Sequence, residues 1–256
     1  MALQVDSRKN HILAALPVED WLRLLPRLER IHMPSGQVVF EAGGSLEHVY
    51  FPTTAIISLL YVMEDGASAE VAVVGREGVI GISLFMGGGS MPGRAVVQSP
   101  GEGFRMKAQA LKDEFERSGS AMHLLLRYTQ ALITQIAQTA VCNRHHALDQ
   151  QLCRCLLLSL DRLDVNEFAM THELIANRLG VRRAGVTVAA HQLKAAGLIR
   201  YERGRIIVLE RTRLERRACE CYAAVRNEYR RLLPEASAAL PAARGMGALA
   251  PYLVIA

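Results

Sequence analysis

No apolar run in this 256-residue chain approaches the roughly 20 residues that a helix needs to cross a bilayer, so no membrane partner is expected. The first ten residues, MALQVDSRKN, lack the hydrophobic core of a secretory signal, and nothing in them directs export. Cysteine is absent before Cys142, and the total is five. An odd count without framework spacing excludes a disulfide scaffold and suits a reducing compartment. These absences give the expectation of a cytoplasmic protein. Catalytic signatures are missing as well: no P-loop, no H-E-x-x-H, no G-x-S-x-G and no dinucleotide fingerprint. The run Gly87-Gly88-Gly89 lies between strands without a following Lys-Ser/Thr, so it reads as a flexible loop. The chain is therefore read as not an enzyme, with no cofactor.

What is present is charge of one sign in one place. The net charge is +5. Residues 1–141 hold 12 Lys+Arg against 14 Asp+Glu, a net of −2, and residues 142–233 hold 17 against 10, a net of +7. Residues 234–256 hold one of each. A basic half beside a mildly acidic one is the electrostatic footprint of phosphate binding.

The basic half contains the most informative stretch, THELIANRLGVRRAGVTVAAHQLKAAGLIRYERGRIIVL, residues 171–209. Thr171 is placed to cap a first helix running to about Leu179. Gly180 supplies the turn, and a second helix spans about Arg183–Ala196 with Gly197 as its stop. Val186, Ala189, Ala190 and Leu193 fall at i, i+3, i+4 and i+7 and predict the buried face. Arg203-Gly204 marks a hairpin turn between two extended segments, the wing. A helix with one fixed apolar face and a basic, exposed N-terminus suits a DNA major groove.

Upstream, residues 11–31 read as short helices broken by Pro17 and Pro26. From Met33 the period changes to short Val-, Ile-, Tyr- and Phe-rich segments separated by Gly and Pro turns, predicting an all-β barrel or roll over about 33–108. Residues 109–119 read as a linking helix, followed by a long helix over about Ala121–Arg144. Its Met122, Leu125, Thr129, Leu132, Ile136 and Thr139 keep a 3-4 spacing, which predicts a seam against the same helix of a second copy. Residues 147–165 read as a further amphipathic helix. A C-terminal helix is expected over 212–233, with Leu214, Ala218, Tyr222, Val225, Tyr229 and Leu232 on one face. The tail from Pro234, rich in Ala, Gly and Pro, is expected to be poorly ordered. The expected organisation is thus 1–120, a β-roll sensor domain with flanking helices; 121–146, a dimerisation helix; 147–233, a winged helix-turn-helix domain with a C-terminal helix; and 234–256, a tail. The fold class is α+β.

Pro34-Ser35-Gly36 through Gly43, Val49-Tyr50-Phe51, Asp65-Gly66, the run Val74-Gly75-Arg76-Glu77-Gly78-Val79-Ile80-Gly81 and the helix-turn-helix from Thr171 to Ile199 together resemble the Crp–Fnr superfamily of bacterial transcription regulators, over about residues 11–210. The resemblance implies an antiparallel, cyclic-nucleotide-binding-like β-roll, a long dimer helix and a C-terminal winged helix. It implies as partners double-stranded DNA, a second copy of the chain, RNA polymerase and an unidentified small-molecule effector. In cyclic-nucleotide-binding members a glutamate holds the ribose hydroxyl and an arginine followed by a small hydroxyl residue holds the phosphate. Here Arg94 falls at the arginine position, but Ile82 stands for the glutamate and Ala95 for the hydroxyl residue. An isoleucine cannot accept a hydrogen bond, which leaves a ribose hydroxyl unpaired at about 1–3 kcal/mol. An effector site is placed at Arg94 and Ser83, and the signal is expected not to be cAMP. The alternative is a winged-helix DNA-binding protein whose β-roll is a scaffold or protein-interaction module with no small effector.

On the DNA side, the resemblance puts Arg183 where an arginine reads guanine. Ala184 and Val188 replace an acidic residue and a second arginine, so the operator is expected to differ from that of the best-known members. Gly185 is expected to let the backbone lie close to the groove. Thr187 and His191 are further exposed candidates. Arg182, Thr171, His172, Arg203 and Arg205 are assigned to phosphate contacts, which position without specifying sequence. The iron–sulfur branch of the family uses N-terminal cysteines, which this chain lacks. Cys153 and Cys155, like Cys219 and Cys221, are two apart, and on a helix such pairs diverge. Cys142, His145 and His146 fall at i, i+3 and i+4 but read as a buried thiol with two surface imidazoles, because zinc usually needs three or four ligands. No metal is assigned.

Overall fold

The computed structural model describes residues 7–202 and 204–233. Seven short strands build the N-terminal half: β1 (Glu29–Met33), β2 (Val38–Phe40), β3 (His48–Pro52), β4 (Ile56–Val62), β5 (Ser68–Val74), β6 (Arg94–Ser99) and β7 (Gly101–Lys107). They form two antiparallel sheets, ordered β1-β7-β3 and β2-β6-β4-β5. Alternation along the strands turns Val49, Phe51, Ile57, Val74, Val97, Phe104 and Met106 into the space between the sheets, all fully buried. Helices α1 (His11–Ala15) and α2 (Val18–Leu24) lie ahead of the roll. Asn10 caps α1 through its side-chain oxygen, and its amide donates to the carbonyls of Pro52 and Gly78. Residues 29–31, expected as helix, belong to β1, because a short 3-10 turn at Leu25–Arg27 containing Pro26 redirects the chain into the sheet.

Helices α3 (Ala108–Glu116) and α4 (Ser120–His145) close the roll. Leu124, Leu125, Tyr128 and Leu132 of α4 join the roll core, and the Tyr128 hydroxyl donates to the Val79 carbonyl at 3.0 Å. This corrects the expected dimer seam. Leu125, Thr129, Leu132 and Thr139 are buried inside the chain, and Met122 and Ile136 are half-buried. The exposed stripe is the next one round the helix: Leu126, Gln130, Ile133, Ala137, Ala140 and Arg144, again at 4-3-4-3-4 spacing.

The C-terminal half consists of α5 (Leu148–Leu160), β8 (Glu167–Ala169), α6 (His172–Leu179), α7 (Arg183–Ala195), β9 (Ile199–Glu202), β10 (Arg205–Val208), α8 (Arg211–Arg217) and α9 (Glu220–Leu232). The wing is three-stranded, in the order β8-β10-β9, and β8 has no counterpart in the sequence reading. The single helix expected over 212–233 is two helices, α8 and α9, broken by extended backbone at Ala218 and Cys219. The expected tail from Pro234 lies outside the described residues. Among the described residues no helix is long and apolar enough to cross a membrane.

The two halves are packed together. Ile56 of β4 and Val73 of β5 are buried in the same cluster as Leu156, Leu179 and Leu193. Two buried ion pairs span the junction, Arg178 of α6 to Glu70 of β5 at 2.7 Å and Arg162 to Glu77 at 2.7 Å, beside a more exposed one from Arg76 to Asp164. Both guanidiniums are buried. Burial alone would depress each arginine, but the surrounding negative charge, Glu70 or Glu77 included, outweighs it and holds both above their ordinary value.

Candidate nucleic-acid interface

Thr171 adopts extended backbone and its hydroxyl accepts from the Leu174 N–H at 3.1 Å, starting α6. Gly180, at φ +64°, ends that helix in a left-handed turn that side-chain-bearing residues rarely adopt. Arg182 starts α7 without a side-chain cap, leaving helix-end N–H groups directed outward. Val186, Ala189, Ala190 and Leu193 are buried as their spacing predicts. The opposite face is open: Arg182, Arg183, Ala184, Thr187, Val188 and His191 are all exposed. The Arg183 side chain is 69% exposed and only 4.0 Å from Glu173, a loose surface pair that leaves it free to move. Val188 is 60% exposed.

Gly185 does not face outward. A Cβ at this position would lie 2.9 Å from the Leu148 side chain, so the missing side chain lets α7 approach α5 rather than a groove. His172 is also turned inward. Its Nδ1 lies 3.1 Å from the Thr187 hydroxyl, which itself donates to the Arg183 carbonyl, and its ring stacks on Tyr201 of the wing at 4.4 Å. The imidazole thus joins α6, α7 and the wing, and the Thr187 hydroxyl is already engaged. Arg205, on β10, is exposed and paired with Glu167 at 3.0 Å. Arg200 of β9 adds a cation to the wing that the sequence reading passed over, because strand charges carry no periodic signature. Arg203 lies outside the described residues.

Burial first, and then the Arg183 charge, lowers the His172 pKa from 6.5. The folded state therefore takes up its proton later than the unfolded state does, and stability rises with pH through the region just below 6.5. The expected outcome is a melting temperature that falls as pH drops below 6.5. Part of that slope should be lost in His172→Phe, which keeps the stack on Tyr201. Calorimetry at a series of pH values checks it.

At the second candidate site, Arg94, the first residue of the interior strand β6, pairs with Glu41 at 3.3 Å. Ser83 sits in a short 3-10 turn with its hydroxyl buried and without a hydrogen-bond partner, and Ile82 packs against the roll core. A cavity of about 360 Å³ opens elsewhere, between the two halves, beside Arg76, Glu77, Asp161, Arg162, Arg226 and Tyr229.

A third constellation departs from the sequence reading. Cys142, His146, Cys219 and Cys221 bring their ligand atoms within 4.8 Å of one another. Cys142 and His146 are one turn apart at the end of α4, whereas His145 is exposed and takes no part. Cys219 and Cys221 were expected to diverge as helical neighbours. They converge because Cys219 is the extended residue before α9 and only Cys221 is helical. Burial raises the Cys142 and Cys221 thiols, while the buried Arg154 pulls the other way.

Comparison with known proteins agrees with this architecture. Residues 30–118 match the model of the cyclic nucleotide-binding domain, and residues 150–217 match that of the Crp-like helix-turn-helix domain. No curated protein sequence matches the chain. Among solved structures, a putative Crp/Fnr-family transcriptional regulator from Eubacterium rectale is 18% identical, covering 79% of this chain and 94% of its own, with a TM-score of 0.60. FixK2 from Bradyrhizobium japonicum is 17% identical, covering 75% and 98%, at 0.63. A Crp-family regulator from Thermus thermophilus is 18% identical, covering 74% and 96%, at 0.62. At these identities the structures bear on the fold. The two domain models, in this order over more than half of the chain, place it in the Crp–Fnr family of transcription regulators.

Proposed function

We propose that this regulator acts as a homodimer that reads a palindromic DNA site through the N-terminal half of α7, under control of a signal at the β-roll other than cAMP. The observation that carries the reading is the two-faced character of α7: one side is locked in the core, and the other presents Arg182, Arg183, Ala184, Val188 and His191 to solvent. Arg183 reads guanine through O6 and N7. Ala184 and Val188, and the Thr187 methyl group, offer apolar contact to thymine methyls. Arg182, Thr171, Arg203 and Arg205 hold the phosphate backbone, and His172 keeps α6, α7 and the wing in register. DNA as partner, and an odd count of five cysteines without disulfide-framework spacing, favour a cytoplasmic setting. Dimerisation runs through the exposed stripe of α4, which would set half-sites about 34 Å apart. Against cAMP, Ile82 is turned to the roll core and Arg94 is already paired with Glu41.

The test is selection of sites from random duplex DNA by the purified protein, with and without a panel of cyclic nucleotides. A palindrome whose recovery no nucleotide changes supports the reading. A cAMP-dependent palindrome would reverse the effector part, and failure to enrich any site under all conditions would reverse the whole. Arg183→Ala should relax one position per half-site, at about 1–3 kcal/mol of discrimination. Recovery of the unaltered motif would remove Arg183 from base reading. Arg205→Ala should instead weaken all sequences alike and lower the slope of log affinity against log salt by about 1 for each phosphate no longer neutralised. Fluorescence anisotropy across a salt series measures it.

A further inference from the structure

We propose that Cys142, His146, Cys219 and Cys221 bind a single zinc ion that fastens the end of α4 to the start of α9.

The geometry is that of one tetrahedral ion. Zinc–sulfur and zinc–nitrogen bonds of about 2.3 and 2.0–2.1 Å put tetrahedral ligand atoms about 3.5–3.8 Å apart. Cys142 Sγ and Cys219 Sγ are 3.5 Å apart, Cys221 Sγ and His146 Nδ1 are 3.5 Å apart, and no pair among the four ligand atoms exceeds 4.8 Å. Three thiolates and one imidazole are a closed structural zinc set, with no position left for substrate. All three cysteines are buried, in a small cluster of their own apart from the two main cores.

The surroundings fit as well. His146 turns Nδ1 toward the sulfurs and Nε2 toward Glu220 Oε1 at 3.2 Å. A carboxylate behind the imidazole fixes the ring and its tautomer and makes it a better ligand. Three thiolates on a divalent ion leave one net negative charge. The buried Arg154 faces it, with one guanidinium N–H donating to Thr139 and the Nε group without a hydrogen-bond partner. A disulfide between Cys142 and Cys219 would use two of the four groups and leave the Cys221–His146–Glu220 arrangement without a role.

The position has a consequence for the regulator. His146 is the last residue before the extended link at Ala147 that leads from α4 into α5. Cys219 lies in the break between α8 and α9. An ion at this point joins the long helix, the hinge after it and the C-terminal helix.

The test uses the full-length protein, purified under reducing conditions and assayed for metal. One zinc per chain is expected. Chelated and reduced protein titrated with Co2+ alone should show the intense visible bands of a tetrahedral thiolate site, saturating at one equivalent and bleached by Zn2+. Cys219→Ser with Cys221→Ser should abolish both signals, and Cys155→Ser, a buried cysteine outside the cluster, should retain both. Glu220→Gln should weaken binding by about 10–100-fold. Wild-type protein that carries no zinc and gives no cobalt spectrum would overturn the proposal without reliance on any variant. So would a Cys142–Cys219 disulfide in the metal-free protein as purified that persists when zinc is supplied with reductant.

Discussion

Glu77→Gln should lower the stability of the protein by about 3–5 kcal/mol, the usual consequence of removing one partner of a buried ion pair. The substitution keeps the size of the side chain and removes only the charge. Arg162 would then remain 5% exposed opposite a neutral amide. The arginine cannot respond by losing its proton, since a guanidinium stays charged in proteins. It must either remain buried and uncompensated or pull the two halves apart to reach water. Glu77 also accepts from the Gly75 N–H at 3.2 Å, so the turn after β5 loosens with it. Urea denaturation should show a lower midpoint. Hydrogen exchange should show faster exchange in β5 and α6, the elements joined by the second pair, Arg178 to Glu70. A control is Glu29→Gln, which removes an exposed carboxylate paired with Arg105 and should leave the midpoint nearly unchanged. A loss under about 1 kcal/mol for Glu77→Gln would mean that water already reaches Arg162.

Glu70, Glu77 and Arg178 each keep one polar side-chain atom buried without a partner. Such atoms penalise the packed arrangement, and water would satisfy them on separation. A pairing that is strong in charge and incomplete in hydrogen bonds would give the proposed signal at the β-roll a contact to act on.

The second large effect is expected on α4. With dimerisation through α4 as proposed, Leu126→Asp combined with Ile133→Asp should give a monomer and weaken binding to the proposed palindrome by about 10²–10⁴-fold, the usual gain from linking two binding units. Binding to an isolated half-site should change little. Both residues are exposed, 45% and 55%, so the fold of each chain should survive the change. Aspartates facing each other across a seam repel and leave desolvated charge. Ala137 and Ala140 in the same stripe would let two helices approach closely. Sedimentation velocity gives the mass, and anisotropy on full and half operators gives the affinities. A variant that remains a dimer would move the interface off this stripe.

Two adjacent stripes on α4 illustrate how far the sequence could be read. Both keep a 3-4 repeat, and the stripe through Leu125 and Leu132 is the more apolar, so pattern alone selects it as the partner seam. The roll core claims that stripe, because the helix must first bury its most hydrophobic face against its own chain. The weaker stripe through Leu126 and Ile133 is left outside. Which face a long helix shows to solvent depends on what else packs on it, and no local periodicity encodes that. The same limit hid the four-residue cysteine–histidine cluster. Spacing rules assumed one unbroken helix through Cys219 and Cys221, and the extended residue at Cys219 reverses the conclusion. His172 and Gly185 sit on the helix-turn-helix as the sequence predicts, but their direction is set by Tyr201 and Leu148, on other elements.

Local rules determined the stretch from Thr171 to Val208. A hydroxyl cap, a left-handed glycine turn, an apolar face at helical spacing and a glycine-centred hairpin are each fixed by a few neighbouring residues, so the winged helix, its basic face and the family are legible in the sequence. The tertiary structure alone decided which stripe of α4 is exposed, how Arg162 and Arg178 bind the C-terminal half to the β-roll, and that three cysteines and a histidine from residues 142 to 221 converge. These depend on residues about 50 to 110 apart in the chain coming within a few ångströms, and burial and charge compensation, rather than any local propensity, hold them there.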